Sequence, residues 1–483
     1  MSAARYRSAN ELATLVASGA VSALELADEH IARIERDDPR VNAVVVRRFE
    51  AARDEARAID AARLRGEHVG PLAGVPITVK ECFDLQGTAS TFGHPDRASH
   101  RAQRDAATVA RLRRAGAVIL GKTNVPKDLA DWQSFNALYG TTLNPWDATR
   151  SAGGSSGGSA AALATGMSAL EIGSDIGGSI RVPAHFCGVY GHKPTFGIVS
   201  TEGHSMVDEA PPADLNVAGP LARTSADLAL ALGILAGGEP GSPWQLTLPA
   251  APADVPRGLR IGVITGDATF AVDQATRAAA LGAAEALRAG GATVTVDPAL
   301  PMASQEYYEL YIAVLRGSTS ARVNLNDLAT LQAHAAATDP ADRGYDALRL
   351  RGLTQSHRQW HERDLERTRL RARWAEFFRH HDALIAPITP TCAFPHTHST
   401  PKHEQRLDID GAMRQISDSY FWIGLPSLPL LPSTAIPAGK SASGMPIGLQ
   451  IIGPDFSDLR GIAIAGWLEG AWRGFESPPA FGD

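Results

Sequence analysis

Apolar positions recur along the chain with two different periods, and the change of period predicts the order of its helices and strands. Near the start, ELATLV and ALELADEHIARIE place apolar residues at i, i+3 and i+4, which is typical of amphipathic helices. Acidic residues flank the mostly apolar residues 13–24 at helical spacing, so we expect two short helices that break at Gly19 and not a signal peptide. Residues 1–68 are therefore predicted to form N-terminal helices packed on a core.

From residue 69 onward, short apolar runs alternate with helical patterns. PLAGVPITV predicts a buried strand, and DAATVARLRRAGAVILGK predicts a helix, a glycine stop and a second strand. LRIGVITG, AALGAAEALRAGG and ATVTV repeat the order strand, helix, strand; residues 303–381 are helical in pattern, and DALIAPITP and MPIGLQIIG return to strands. The recurrence of strands at both ends predicts one intertwined α/β unit, in which residues 69–240 form the core and residues 241–483 complete the same domain.

Composition excludes several classes of function. The net charge is −6, from 46 basic and 52 acidic residues, so there is no basic surplus to neutralise phosphates and no nucleic-acid partner is predicted. Cys82, Cys187 and Cys392 lack the spacing of a disulfide framework or a zinc site, so no metal is predicted. No run reaches the roughly 18 apolar residues that span a bilayer. We therefore expect a soluble, cytoplasmic protein without a membrane partner.

The stretch SAGGSSGGSAAALATG at residues 151–166 raises four interpretations. A flexible linker is disfavoured because the helix-forming run AAALA follows at once and because the sequence on both sides alternates between helix and strand patterns. A phosphate-binding loop would require Lys followed by Ser or Thr after Gly158, where this chain has Ser159 and Ala160. A hydrolase nucleophile elbow matches G-x-S-x-G around Ser155 and again around Ser156, but no strand pattern leads into either match.

A second Gly-rich turn, SDIGGSIR, favours the fourth interpretation, an oxyanion hole beside a hydroxyl. Gly177 and Gly178 precede Ser179, so successive backbone N–H groups can converge on one point next to its hydroxyl. Such a hydroxyl needs a base, and the chain, with six lysines against 40 arginines, places Lys80 at the end of the apolar segment GVPITV. A desolvated lysine can lose its proton whereas an arginine cannot, so Lys80 is the candidate base. The alternative is that Lys80 merely ends a strand and extends its amine to solvent.

These motifs resemble the amidase signature family. PITVKE, GKTN, NPWDATRSAGGSSGGSAAALATG, GSDIGGSIRVPAHFCGVYGHKPTFGIVS and GMPIGLQIIGP are similar to its landmarks and occur in the same order over most of the chain. The resemblance implies a central twisted mixed sheet covered by helices on both faces. It also implies hydrolysis of amides by a Ser-cisSer-Lys triad that needs no cofactor.

The resemblance assigns a role to each matching position. Ser179 corresponds to the acylated nucleophile, Ser155 to the bridging serine that follows a cis peptide bond, and Lys80 to the base. The oxyanion N–H groups would come from Ile176, Gly177, Gly178 and Ser179. Asp175 and Arg181 are expected to form a structural ion pair. The family usually has Asp after the lysine, and this chain has Glu81 there, which leaves the role of that carboxylate open.

The substrate is less well defined by the sequence. Small-molecule pockets are mostly apolar, so Trp132, Tyr139 and Trp146, together with the segment around Tyr420, are candidate lining residues, although each also fits simple packing. The helical insert at 303–381 is the expected cover of the site. We expect a monomeric or homodimeric amidase acting on small acyl or aryl amides, with carbamates (urethanes) and esters as variants. The alternatives are the glutaminase subunit of a tRNA-dependent amidotransferase and a non-catalytic binding protein.

Overall fold

Eleven strands form one mixed sheet that runs through the molecule. The computed structural model describes residues 5–207, 212–238, 245–401 and 404–482, and all counts refer to these. In chain order the strands are β1 (Val44–Arg47), β2 (Pro76–Lys80), β3 (Val118–Thr123), β4 (Phe135–Asn136), β5 (Gly140–Thr141), β6 (Leu170–Asp175), β7 (Tyr190–Lys193), β8 (Val217–Ala222), β9 (Arg260–Val263), β10 (Thr293–Val296), β11 (Ala383–Pro387), β12 (Arg406–Ile409), β13 (Ala412–Gln415), β14 (Ser433–Lys440) and β15 (Pro446–Ile452). The order in the large sheet is β1-β3-β2-β6-β8-β7-β14-β15-β11-β9-β10. The remaining strands pair as β4 with β5 and β12 with β13.

Helices connect the strands of this sheet. The α-helices are α1 (Ala9–Ser18), α2 (Ala23–Asp37), α3 (Phe49–Leu64), α4 (Ala107–Arg114), α5 (Gly157–Ala164), α6 (Arg181–Cys187), α7 (Ser225–Leu235), α8 (Gln274–Ala289), α9 (Ser304–Thr319), α10 (Leu325–Ala337), α11 (Tyr345–Thr354), α12 (His357–His380), α13 (Ser419–Ser427) and α14 (Asp458–Ala471). The prediction of a single large α/β domain with a mixed sheet is confirmed. No helix in the described ranges is both long and apolar enough to cross a membrane.

The N-terminal region follows its sequence pattern closely, with one addition. Capping boxes at Ser8 and Ser22 start α1 and α2, and Gly19 ends α1 in the left-handed conformation with φ +75°. The predicted break at Gly19 is therefore confirmed. Residues 1–68 are not purely helical, however, because β1 lies at the edge of the large sheet, antiparallel to β3. The short β-branched run VVV forms this strand.

Three buried parallel strands bring candidate site residues to one edge of the large sheet. β2, β3 and β6 are buried at every position, as expected for strands covered on both faces. β2 is parallel to both β3 and β6, with Thr78 in register with Glu171. Because the strands run in the same direction, Lys80 at the end of β2 and Ser174 and Asp175 at the end of β6 meet at the same edge of the sheet.

Candidate active site

The Gly/Ser stretch is packed in the interior. Every residue from 151 to 170 is buried, so this segment is not a flexible linker. The Gly154–Ser155 peptide bond is cis, and α5 begins at Gly157. Glycine is required at two positions: Gly153 has φ +84°, and a β-carbon built on Gly158 would lie 2.4 Å from the backbone nitrogen of Asn124.

The Lys80 amine lies inside a cluster of oxygen atoms. Its Nζ is 2.7 Å from Ser155 Oγ, 2.9 Å from Ser174 Oγ and 3.4 Å from the Ser174 carbonyl oxygen. Lys80 is completely buried, and among the described residues it forms no salt bridge to a carboxylate. The alternative in which this amine extends to solvent is therefore wrong.

Burial changes the acid–base chemistry of this amine. Desolvation lowers the pKa of Lys80 to about 8, against the opposing effect of Cys82, Asp175 and Glu171. An amine with this pKa is deprotonated in roughly a tenth of molecules at pH 7 and in about half of them at pH 8. It can then accept a proton from a hydroxyl within hydrogen-bonding distance.

Ser179 lies in the turn between β6 and α6, next to the Gly/Ser stretch. The backbone N–H of Ser156 donates to the Ser179 carbonyl oxygen at 3.1 Å, which joins the two turns. Ser179 is 5% exposed, against 1% for Ser155 and 0% for Lys80, so solvent access is greatest at Ser179. Among the described residues, the Ser179 hydroxyl has no hydrogen-bond partner.

The N–H groups around Ser179 differ in whether they have a hydrogen-bond acceptor. Gly178 N–H donates to Asp175 Oδ1 at 2.9 Å, and Ile180 N–H donates to Asp175 Oδ2 at 3.1 Å. The N–H group of Gly178, one of the four predicted oxyanion donors, is therefore already bonded to the Asp175 carboxylate. Within the described part of the chain, the N–H groups of Ile176, Gly177 and Ser179 have no acceptor.

Asp175 forms the expected ion pair with Arg181, and both side chains are completely buried. Arg181 Nη2 and Nε lie 3.0 and 3.1 Å from the two carboxylate oxygens. Burial tends to raise the pKa of Asp175, but Arg181 and the backbone N–H donors outweigh it and lower the pKa to about 2. Arg181 also donates to Ser427 Oγ, Gln450 Oε1 and the Ile423 carbonyl oxygen. This network anchors the Ser179 turn to the second half of the chain.

Glu81 is directed away from the Lys80 amine. Its carboxylate accepts from the Thr91 N–H at 2.6 Å, the Thr91 hydroxyl at 2.7 Å and the Phe92 N–H at 3.0 Å. Phe92 has φ +55°, so this carboxylate holds a turn of unusual backbone conformation. In this chain the residue after Lys80 supports a neighbouring loop.

The three candidate pocket aromatics occupy different places. Trp132 is buried and donates from Nε1 to the Gly177 carbonyl oxygen at 2.9 Å, so it supports the turn before Ser179. Tyr139 instead lines a surface cavity of about 430 Å³ beside β1, with its hydroxyl 3.5 Å from Glu81. Trp146 donates to the Cys187 carbonyl oxygen at 3.0 Å. That atom lies at the far end of α6, roughly 12 Å along the chain from Ser179 at helical rise. The structure thus brings only Trp132 to the turn.

The helical insert lies directly over the turn. Tyr311 on α9 donates its hydroxyl to the Ile176 carbonyl oxygen at 3.0 Å. A β-carbon built on Gly177 would lie 3.7 Å from Tyr420 Cε1, and 3.9 Å from both Leu315 Cδ2 and Tyr311 Oη. The Trp132 and Tyr420 rings are 4.8 Å apart. Aromatic and aliphatic side chains thus form the wall that faces Gly177.

Two polar residues of the site were not predicted. Ser174 Oγ contacts the Lys80 amine, and His204 Nε2 lies 2.9 Å from the same Ser174 oxygen. Ser174 belongs to the motif SDIGGSIR and could have been proposed from its position at the end of β6. His204 lies in a loop after residue 200, and its sequence neighbours give no signal for this contact.

Known proteins are similar to this chain over most of its length. The model of the family Amidase matches residues 25–460. The chain belongs to the amidase signature family. It is 35% identical to a glutamyl-tRNA(Gln) amidotransferase subunit from Anaeromyxobacter sp. (strain K), with 96% of each chain covered.

Two solved structures are similar to this chain in fold. One described as a vestigial protein complex that reveals the evolutionary origins of an s-triazine catabolic enzyme has a TM-score of 0.82 at 32% identity, over 97% of this chain and 99% of that chain. A bacterial aryl acylamidase of the amidase signature family has a TM-score of 0.80 at 28% identity, over 97% of this chain and 96% of that chain. This chain is therefore an amidohydrolase of the family, and its class of reaction is hydrolysis of C–N bonds.

Proposed function

We propose that this amidohydrolase acts alone, as a monomer or homodimer, on small acyl or aryl amides through an acyl-enzyme on Ser179. Neutral Lys80 takes a proton from Ser155 while Ser155 takes one from Ser179, whose oxygen attacks the acyl carbon. The relay in reverse protonates the leaving nitrogen as the C–N bond breaks. Water then enters, loses its proton to the same relay, and hydrolyses the ester to release the acid.

The single observation that carries this proposal is the distance of 2.7 Å between Lys80 Nζ and Ser155 Oγ, in a site where Lys80 is completely buried. A buried ammonium without a carboxylate partner is costly, so burial shifts the protonation equilibrium of Lys80 towards the neutral amine. A neutral amine against a hydroxyl is the arrangement that a proton relay requires. The Ser156 N–H donates to the Ser179 carbonyl oxygen, so the two serine turns are adjacent, which supports a relay that extends from Ser155 to the Ser179 hydroxyl.

The oxyanion donors in this proposal are the N–H groups of Ile176, Gly177 and Ser179. Each such donor stabilises the developing negative charge by roughly 3 to 4 kcal/mol in acyl-transfer sites. Gly178 contributes indirectly, because its bond to Asp175 fixes the turn that aims its neighbours.

The wall beside Gly177 supports an apolar acyl or aryl group in the substrate. Tyr420, Leu315 and Tyr311 lie around Gly177, and in this proposal the acyl group binds next to them and to the oxyanion donors. Carbamates (urethanes) and esters present an equivalent acyl carbon, so the proposal extends to them as secondary substrates.

A second candidate function is the glutaminase step of a tRNA-dependent amidotransferase. The observation that favours it is the 35% identity to the Anaeromyxobacter amidotransferase protein over 96% of both chains. This candidate predicts that glutamine is the preferred amide and that activity rises when partner proteins are present.

One experiment separates these functions. The purified chain is assayed against anilides, primary amides, carbamates, esters and glutamine, with Ser179→Ala as the blank, and is then treated with a fluorophosphonate and mapped by peptide mass spectrometry. We expect hydrolysis of anilides or amides by the chain alone and a single label on Ser179. A label on Ser155 or Ser156 would contradict the assigned roles, and hydrolysis of glutamine alone would favour the amidotransferase.

A further inference from the structure

The hydrogen bonds around Lys80 continue to a buried histidine outside the triad. Lys80 Nζ lies 2.9 Å from Ser174 Oγ, and His204 Nε2 lies 2.9 Å from that same oxygen on its other side. The His204 ring packs against Phe83 and Phe92, with centroids 4.7 and 5.8 Å away. His204 is 7% exposed, so the series of contacts from Lys80 through Ser174 to His204 lies in the interior.

The direction of each hydrogen bond decides whether Lys80 can act as a base. A neutral lysine amine has two N–H donors and one lone pair, and three oxygen positions surround it: Ser155 Oγ, Ser174 Oγ and the Ser174 carbonyl. The carbonyl can only accept. Either serine hydroxyl could donate to the lone pair, but only donation from Ser155 transfers a proton along the relay. A Ser174 hydroxyl turned towards the amine would compete with Ser155.

We propose that His204 is a positioning residue: its Nε2 accepts the Ser174 hydroxyl hydrogen, so that Ser174 Oγ can only accept from Lys80 and the lone pair of Lys80 is left for Ser155. This inference rests on the proposed function, since it specifies how the base of that reaction is oriented.

The surroundings of the ring fit this arrangement of hydrogens. Burial first, and then the charges of Lys80 and Arg322, lower the pKa of His204 to about 3, so the ring is neutral and one nitrogen is free to accept. The backbone of His204 itself opposes this shift. A neutral ring that carries its hydrogen on Nδ1 leaves Nε2 as the acceptor. The Asn216 Nδ2 lies 3.4 Å from Nδ1; the two ends of this amide have similar size, so a half-turn of the group brings its oxygen to an Nδ1–H, as this arrangement requires.

The test compares His204→Phe, which removes the acceptor, with His204→Gln, which restores one, in the wild-type and Ser174→Ala backgrounds. His30→Phe is the matched control, because His30 is also buried but lies in α2 and bonds to the Leu26 carbonyl oxygen. The readouts are kcat/KM for the best amide and the rate of fluorophosphonate labelling of Ser179.

We expect His204→Phe to lower both rates roughly five- to tenfold, the equilibrium effect of one misdirected neutral hydrogen bond. His204→Gln should recover most of this loss, and His30→Phe should leave both rates within about twofold of wild type. In the Ser174→Ala background, where no hydroxyl competes for the lone pair, His204→Phe should have less than about a twofold effect.

Two results would overturn the inference: wild-type rates in His204→Phe, or the same fold loss in the Ser174→Ala background. Selective 15N labelling of histidine gives a readout independent of activity. The chemical shift of His204 Nε2 should be that of a ring nitrogen without hydrogen, and a protonated Nε2 would also overturn the inference. If the wild-type chain is not labelled on Ser179, the proposed function fails. If the wild-type chain is labelled on Ser179 and the His204→Phe variant has the same rates, only the positioning role of His204 fails.

Discussion

The carboxylate of Asp175 lies 2.9 Å from the backbone nitrogen of Gly178, inside the turn that carries Ser179. The same carboxylate pairs with the buried guanidinium of Arg181. Asp175 therefore connects the shape of the turn to an ion pair that anchors the turn on the second half of the chain. Substitutions here should affect folding and catalysis together.

Asp175→Asn should be strongly destabilising. It leaves the Arg181 charge buried without a counter-ion, and breaking such a pair costs about 3 to 5 kcal/mol. Urea denaturation should show a loss of this size in the free energy of unfolding, with a fall in kcat/KM. The double variant Asp175→Asn/Arg181→Met should lose less than the sum of the two single variants. Additive losses would show that the two side chains do not act as a pair.

The pH dependence of activity should follow the ionisation of Lys80. Burial lowers the pKa of Lys80 to about 8, and the base is active only when deprotonated. We expect kcat/KM to rise with pH up to about 8 and then to level off. Lys80→Ala should abolish this rise, and Lys80→Arg should be inactive throughout because arginine stays protonated. An active Lys80→Arg enzyme would rule out the neutral-amine role.

The same amine should reduce the stability of the fold. Its pKa falls from 10.5 in the unfolded chain to about 8 when folded, so the folded state disfavours the proton and wild-type stability should rise as pH increases from 8 to 10.5. Below pH 8 the full cost is present, on the order of 3 kcal/mol. Lys80→Met should therefore unfold at higher urea concentration than wild type at pH 7, by up to this amount, with the difference shrinking towards pH 10.5. Equal stability at pH 7 would contradict a costly buried amine.

Residue types and regular secondary structure made part of the site predictable from the sequence. Lys80 and Ser155 are separated by 75 residues, yet the rarity of lysine, the Gly-rich turns and the family resemblance singled out both. The parallel pairing of β2 with β6 then brings Lys80 to Ser174 and Asp175. Fold class follows for the same reason, since strand and helix periods are local properties of the chain.

What could not be predicted depends on where side chains and N–H groups point. Gly178 was expected to face the substrate, but the turn aims its N–H at Asp175. Tyr139 and Trp146 are aromatic, as pocket residues often are. Neither residue type nor spacing along the chain determines which side of the sheet an aromatic side chain in a loop reaches. His204 is 30 residues from Ser174 in the sequence, and only the tertiary fold brings the two side chains together.

Glu81 offers a test of the position where this chain departs from the family pattern. Glu81→Gln keeps the size of the side chain but removes the charge that accepts from Thr91 and Phe92. We expect a loss of roughly 1 to 3 kcal/mol in the free energy of unfolding, while the rate of Ser179 labelling changes by less than about fivefold. Loss of labelling at unchanged stability would instead place this carboxylate in the chemistry.

Glu171 should make the stability of the fold depend on pH near neutrality. It lies on β6, and burial raises its pKa to about 7, although the hydroxyls of Thr78, Thr123 and Ser159 oppose the rise. Neither carboxylate oxygen completes a hydrogen bond within the described residues.

Because the folded pKa of Glu171 exceeds the unfolded value of 4.5, the folded state holds its proton longer. Stability should therefore fall as pH rises from 4.5 to 7, by an amount on the order of 3 kcal/mol. Glu171→Gln has no proton to lose, so this variant should lack the decline and be more stable than wild type at pH 8, with little difference at pH 4.5. Urea denaturation at both pH values measures this difference. Parallel pH profiles for the two proteins would show that the Glu171 carboxyl ionises in the folded state without cost.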